Sequence, residues 1–111
     1  MKKLLIIDDS RTVQAVLIRE MRGLFFVSQA DSILQAEMLF RDADVLIIDA
    51  LLPDNGKNFT HIARYAAEKP AVCYTSLHPR DIGDIGSATY ISKSKTGKVQ
   101  LLKWLREQSE R

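Results

Sequence analysis

Two short apolar runs in this chain end in carboxylates. Val45-Leu46-Ile47-Ile48 runs into Asp49, and Leu4-Leu5-Ile6-Ile7 runs into Asp8 and Asp9. Continuous apolar runs of this length fit strands buried on both faces, the habit of parallel sheets covered by helices. Taken alone, Asp49 is equally a turn residue where a strand surfaces or a reactive group held at the carboxyl end of a central strand. The same ending at two strands weakens the first explanation.

Around these runs the hydrophobic period switches repeatedly. From Ser10 onward, Val13, Val16, Leu17 and Met21 recur at helical spacing, and Gly23 is placed to end the helix. Residues 25–30 read as a strand. Ser32 with Gln35 has the form of a capping box, and Ile33, Ala36, Leu39 and Phe40 supply a buried stripe. After the turn Pro53-Asp54-Asn55-Gly56, the spacing of Phe59, Ile62, Ala63 and Ala66 predicts a helix that stops before Pro70. Residues 71–75 form a fourth strand and 89–92 a fifth. Between them, Pro79, Gly83 and Gly86 leave room for at most a short helix of about two turns. A final helix is expected over 99–108, with Val99, Leu101, Leu102, Trp104 and Leu105 apolar and Trp104 toward the core.

Strands alternating with helices predict an α/β fold with a doubly wound five-stranded parallel sheet. The common order is 2-1-3-4-5, with ligands outside the carboxyl ends of the strands where the order switches, between strands one and three. That geometry brings Asp8, Asp9 and Asp49 to one crevice. A chain of 111 residues, 46% hydrophobic, has the length of one domain, 1–111, that needs no disulfide or structural metal. A net charge of +2 with scattered basic residues offers no footprint for nucleic acid, and the basic trio Lys93, Lys95 and Lys98 reads as a solvated loop. The opening apolar run is too short for a signal peptide or a membrane span, and the single Cys73 fits a reducing compartment; a cytoplasmic location is the expectation. His61 and His78 have no ligand-like spacing to each other or to Cys73.

Three carboxylates in one cleft repel one another unless a cation joins them. Few, oxygen-only ligands suit Mg2+, which keeps several waters and completes its shell with phosphate. A carboxylate also serves as a nucleophile toward a phosphoryl group. Positive charge and a hydroxyl are then needed opposite the metal, and Thr75 and Lys93, at the ends of strands four and five, are in those places.

The chain resembles a two-component response-regulator receiver domain, of flavodoxin-like fold, over nearly its whole length. The resemblance runs through Ile6-Ile7-Asp8-Asp9-Ser10, Leu46-Ile47-Ile48-Asp49 with Pro53 and Gly56 following, Tyr74-Thr75-Ser76, and Tyr90-Ile91-Ser92-Lys93. It implies a phosphoacceptor regulator rather than an enzyme: Asp49 receives a phosphoryl group from the phosphohistidine of a histidine kinase or phosphotransfer protein. Asp9 and Asp49 ligate Mg2+ directly, Asp8 mainly through water, and the Leu51 backbone carbonyl completes the protein's share. Lys93 pairs with a phosphoryl oxygen, Thr75 swings its hydroxyl toward another, and Tyr90 follows inward. The switch alters binding of a downstream protein at a face formed by helix four, strand five and helix five, and a homodimer is also compatible with the resemblance. No direct nucleic-acid or membrane contact is implied. With nothing following helix five, a stand-alone receiver is expected.

Several positions depart from the family pattern. Ser94 stands where a proline usually follows the lysine, Pro53 to Gly56 is one residue tighter, and the interval from Thr75 to Lys93 is about one helical turn shorter. The expectation is a stunted fourth helix. Leu51 and Leu77 are apolar where many relatives carry polar groups that orient water, which implies slow loss of the phosphoryl group. A second reading therefore stays open, a receiver-like interaction module that does not switch by phosphate. Enzymes on similar sheets fit poorly. A haloacid-dehalogenase-type phosphatase wants an acid at Ser10, and Asp8-Asp9-Ser10-Arg11 would repel a flavin phosphate.

Overall fold

The computed structural model describes residues 1–111. Five parallel strands form its central sheet: β1 (Lys3–Ile7), β2 (Phe26–Ala30), β3 (Val45–Ile48), β4 (Ala71–Thr75) and β5 (Thr89–Ser92), in the order β2-β1-β3-β4-β5. The helices are α1 (Arg11–Met21), α2 (Ile33–Leu39), α3 (Phe59–Ala66) and α4 (Lys95–Ser109). The architecture is the doubly wound parallel sheet expected from the alternation of periods, in the order expected.

Strand geometry explains why the central runs are apolar throughout. Successive side chains point to opposite faces, so Leu5, Ile7, Leu46, Ile48 and Cys73 join the cluster that receives Ile33, Ala36 and Phe40 from the α2 segment and Ile62 and Tyr65 from α3. Leu4, Ile6, Val45, Ile47, Val72 and Tyr74 face the other way, against Leu17 and Met21 of α1 and Leu101 and Leu105 of α4. Each run thus supplies two cores at once. Truncating Ile47 to Ala would cost about 2–5 kcal/mol.

Two helix starts follow from their caps. Ser10 accepts from the Val13 amide at 3.3 Å and begins α1, while Ser32 accepts from the Gln35 amide at 3.2 Å and begins α2. The capping box is shifted by one residue: Gln35 Oε1 accepts from the Asp31 amide, not that of the cap residue. Helix α1 ends at Met21, and Gly23 does not adopt the left-handed conformation that would make it the stop signal.

Two expectations at the carboxyl-terminal third need correction. No α-helix lies between β4 and β5; a single 3-10 turn, Pro79–Asp81, stands there. The two glycines explain why. A Cβ on Gly83 would lie 2.7 Å from the Phe59 ring, and one on Gly86, at φ +63°, would lie 3.2 Å from Ala63 Cα. The chain therefore lies down on α3 as an extended segment, with Ile82, Ile85 and Ala88 half-buried against the α2/α3 cluster. The expected fourth helix is thus replaced by this segment and its 3-10 turn.

The final helix also begins four residues earlier than its apolar stripe suggests, at Lys95, because Ser94 caps it by accepting from the Gly97 amide at 2.9 Å. Gly97 is required there: a Cβ would fall 1.7 Å from the Ser92 carbonyl oxygen. The buried stripe is Gly97, Leu101, Leu105 and Gln108, and Val99 is 68% exposed. Lys95 and Lys98 are consequently helical residues, not loop residues. Ser94, the departure from the family proline, is the helix cap, and every peptide bond is trans. No helix is long and apolar enough to cross a membrane.

Candidate functional site

Sheet register brings the acidic residues together. Ile7 pairs with Ile48, so the residues that follow, Asp8 and Asp49, leave adjacent strands at the same level. The Asp49 amide donates to the Ile7 carbonyl at 2.9 Å, and the Asp8 amide donates to the Ala30 carbonyl at 2.9 Å. One carboxylate oxygen from each of Asp8, Asp9 and Asp49 lies within 4.8 Å of the others. Asp8 is 1% and Asp49 8% exposed, whereas Asp9 is on the surface.

Lys93 completes the cluster from two strands away. Its amide donates to the Thr75 carbonyl at 2.9 Å, which sets the residue beyond the end of β5. From there the ammonium reaches 2.8 Å from Asp49 Oδ2 and 2.7 Å from Asp8 Oδ2. The contact to Asp49 is a hydrogen bond; that to Asp8 is an ion pair off the line of good hydrogen-bond geometry, and Asp8 Oδ2 has no other partner. Asp8 Oδ1 accepts from the Ser10 amide at 2.8 Å, and Asp49 Oδ1 from the Leu51 amide at 3.3 Å.

Burial pushes the Asp8 carboxyl up, outweighing the lowering effects of Lys93 and the Ser10 amide. For Lys93, burial acts to lower the pKa, but the hydrogen bond to Asp49 and the close negative charges of Asp49 and Asp8 prevail and hold it above the usual lysine range. Cys73, beneath Asp49, is raised to about 12 by burial and then by that carboxylate. With all three carboxylates ionised, one ammonium leaves two negative charges uncompensated. An all-oxygen donor set with that excess, and with a buried oxygen lacking a well-formed hydrogen bond, fits a divalent metal ion.

Thr75 and Tyr90 do not contact Asp49 through any hydrogen bond; both meet at Leu77. The buried Thr75 hydroxyl accepts from the Leu77 amide at 3.3 Å, and the Tyr90 hydroxyl donates to the Leu77 carbonyl at 2.7 Å. Tyr90 is half-buried, its hydroxyl tied to the loop that follows β4. Leu51 enters a two-residue antiparallel pairing with Lys57, unforeseen in the sequence. His61 approaches Glu37 at 3.6 Å, His78 accepts from the Arg80 amide, and neither joins the acidic cluster. Trp104 is half-buried, packing on the α1/α4 core while lining a shallow groove with Tyr90 and Lys103.

Two supporting residues escaped sequence reasoning. Gln14 is buried and donates both amide hydrogens, to the Asp8 carbonyl at 2.5 Å and the Ala30 carbonyl at 3.1 Å, tying the ends of β1 and β2. Its spacing with Leu17 and Met21 was the available signal, a polar residue on the buried arc. Asn58, 1% exposed, donates from Nδ2 to the Asp49 carbonyl at 3.1 Å and from its amide to the Ala50 carbonyl at 3.0 Å. No pattern in the sequence marks it.

No model of a known protein family matches the sequence, and no curated protein matches it. Solved structures do. The signal receiver domain of a DNA-binding response regulator from Colwellia psychrerythraea superposes with a TM-score of 0.81 at 20% identity, covering 100% of both chains. A CheY-like response regulator receiver domain protein from Methanospirillum hungatei gives 0.78 at 15% identity, over 99% of this chain and 94% of that one. The chain has the receiver-domain fold. A third match is a response regulator protein from Burkholderia pseudomallei with a phosphorylated aspartic acid and a calcium ion, at a TM-score of 0.71 and 18% identity, covering 97% of this receiver-like chain and 72% of that chain.

Proposed function

We propose that residues 1–111 are one receiver domain and that Asp49 accepts a phosphoryl group from the phosphohistidine of a histidine kinase or phosphotransfer protein. The observation that carries this reading is Lys93 bridging Asp8 and Asp49 at the carboxyl ends of β1 and β3. An Asp49 carboxylate oxygen attacks phosphorus, a phosphorus–oxygen bond forms, the phosphorus–nitrogen bond of the donor breaks, and the histidine nitrogen leaves with the electron pair. Asp8, Asp9, Asp49 and the Leu51 carbonyl are the residues that would hold Mg2+, whose chemistry is to neutralise charge on the phosphoryl oxygens.

Lys93 supplies the complementary charge. Its ammonium trades Asp49 Oδ2 for a phosphoryl oxygen, a short movement because the acceptor is its present partner. Thr75 exchanges the Leu77 amide for another phosphoryl oxygen. Since Tyr90 holds the carbonyl of that same Leu77, rearrangement at Thr75 reaches β5, and only the phosphorylated arrangement gains the new contacts. The output is a change in protein binding at β5, α4 and the segment over α3. Such a chain is a regulator that takes part in its own phosphoryl transfer, working in the cytoplasm. The apolar Leu51 and Leu77 leave no side chain to orient a hydrolytic water, so phosphoryl loss is slow; a decay over seconds with Mg2+ present would overturn that point.

The missing helix between β4 and β5 favours a second reading, an interaction module of the same fold that does not switch by phosphate. Incubation with acetyl phosphate and Mg2+, followed by intact mass, separates the two. The expected result is one added phosphoryl group, lost in Asp49→Asn. No gain in the unaltered chain sinks the phosphoacceptor reading.

A further inference from the structure

The segment that leaves Asp49 and returns at Asn58 is fastened at both ends. Asn58 closes its root by bonding the Asp49 and Ala50 carbonyls. Along its length only two residue pairs, Leu51 with Lys57 and Leu52 with Gly56, hold the hairpin, and Gly56 takes φ +59° to make the turn. So short a ladder does not hold its own register in water. The tip is fastened to a different element: Asp54 Oδ1 accepts from the Ile33 amide at 3.0 Å and Oδ2 from the Leu34 amide at 3.1 Å.

Those two donors are the first amides of α2. They have no partners within the helix, and they lie at its electropositive end. Ser32 takes the third amide of the turn, that of Gln35. One carboxylate, with one oxygen on each amide, therefore joins the acceptor loop to a helix twenty residues earlier in the chain. Asp54 is exposed, so the latch acts through where it holds the loop, not through burial of its charge.

We propose that Asp54 is a positioning residue for the metal site: by pinning the loop tip to α2 it sets the Leu51 carbonyl for the ion held by Asp8, Asp9 and Asp49. The inference rests on the reading of Leu51 as a ligand given above. Binding energies are reciprocal, so an ion that engages Leu51 also tightens the latch, and the first turn of α2 responds to metal although none of its residues is a ligand.

The test is a titration of the full chain with magnesium chloride alone, followed by the amide resonances of Ile33, Leu34 and the carboxylate residues. In the unaltered chain the Ile33 and Leu34 signals move in step with those of Asp8, Asp9 and Asp49. Asp54→Ala raises the half-saturating Mg2+ concentration about fivefold or more, the lower end of ordinary coupling, while the end point at saturation stays the same. Asp54→Asn, which keeps one acceptor oxygen, falls between. Ser32→Ala removes the other cap of the same helix without touching the loop and leaves Mg2+ affinity within about twofold, which separates a latch from a general effect on α2. Unchanged affinity in Asp54→Ala, or an equal loss in Ser32→Ala, overturns the proposal. If the unaltered chain shows no Mg2+-dependent shift at Asp8, Asp9 and Asp49, the metal reading itself fails, and the latch with it.

Discussion

The two ends of the sheet's central crevice are built by different rules. At the β1/β3 end charged groups are set against named partners: Asp8 on the Ser10 amide, Asp49 on the Leu51 amide, and Lys93 across both carboxylates. Between β4 and β5 a single 3-10 turn and an extended segment cover α3, where glycines permit contact too close for side chains. The first region depends on charge held by strand register, the second on shape. The two regions therefore rest on different residues, and one can be altered while the other stays intact.

Lys93→Met should have the largest effect. It leaves two buried carboxylates without their cation, and the loss on breaking such a pair is about 3 kcal/mol, measurable by urea unfolding in metal-free buffer. Phosphoryl uptake from acetyl phosphate should also slow about a hundredfold, the effect of removing one charge-stabilising donor. A variant that keeps both stability and uptake would show that the acceptor end does not depend on this charge.

Gly86→Ala probes the other region. It forces a side chain into a left-handed position 3.2 Å from Ala63 Cα, a cost of about 1–3 kcal/mol. Uptake by Asp49 should stay within about twofold. If uptake falls in proportion to stability, the two regions are not separable.

Asp8→Asn should have a smaller effect, and one of opposite sign. Because burial raises the folded-state pKa of Asp8, the stability it contributes is present in acid and is lost as pH rises through that pKa. Above that pKa the ionised group opposes folding. The amide should therefore stabilise the metal-free chain while abolishing stabilisation by Mg2+, both read as shifts in thermal midpoint. Destabilisation without metal would mean that the Lys93 pairing outweighs burial.

Alkaline pH tests the buried thiol of Cys73 and the buried phenol of Tyr65. The Cys73 thiol, ordinarily at 9.0, is held at about 12 in the folded chain, so its contribution is present below pH 9 and lost as pH rises toward 12. Tyr65, raised from 10.0 to about 12 by burial, acts in the same direction. Stability should fall steadily above pH 9, and native Cys73 should resist thiol reagents at pH 8. Rapid labelling of the native chain would show that the floor beneath Asp49 opens.

Much of the candidate site was legible because it follows from local pattern. Apolar runs ending in Asp8, Asp9 and Asp49, with Thr75 and Lys93 at later strand ends, need only strand order to converge. The final helix was misread at its start because Lys95, Thr96, Gly97 and Lys98 show no apolar period; packing of Gly97 on the Ser92 carbonyl places that turn. Asn58 and Asp54 were illegible for a related reason, and Gln14 showed only as a polar residue on a buried arc. Their partners are backbone groups, which every residue carries and no sequence pattern distinguishes.

By itself, then, the chain's order of residues determined the strands, their two-faced burial and the carboxylates at their ends, because side-chain periodicity is local information. Only the tertiary structure decided that no α-helix separates β4 from β5, that Lys93 bridges Asp8 and Asp49, and that Asp54 ties the loop after Asp49 to α2. Those outcomes depend on close approach and on hydrogen bonds between groups distant in the chain, which exist only once the sheet has brought them within reach.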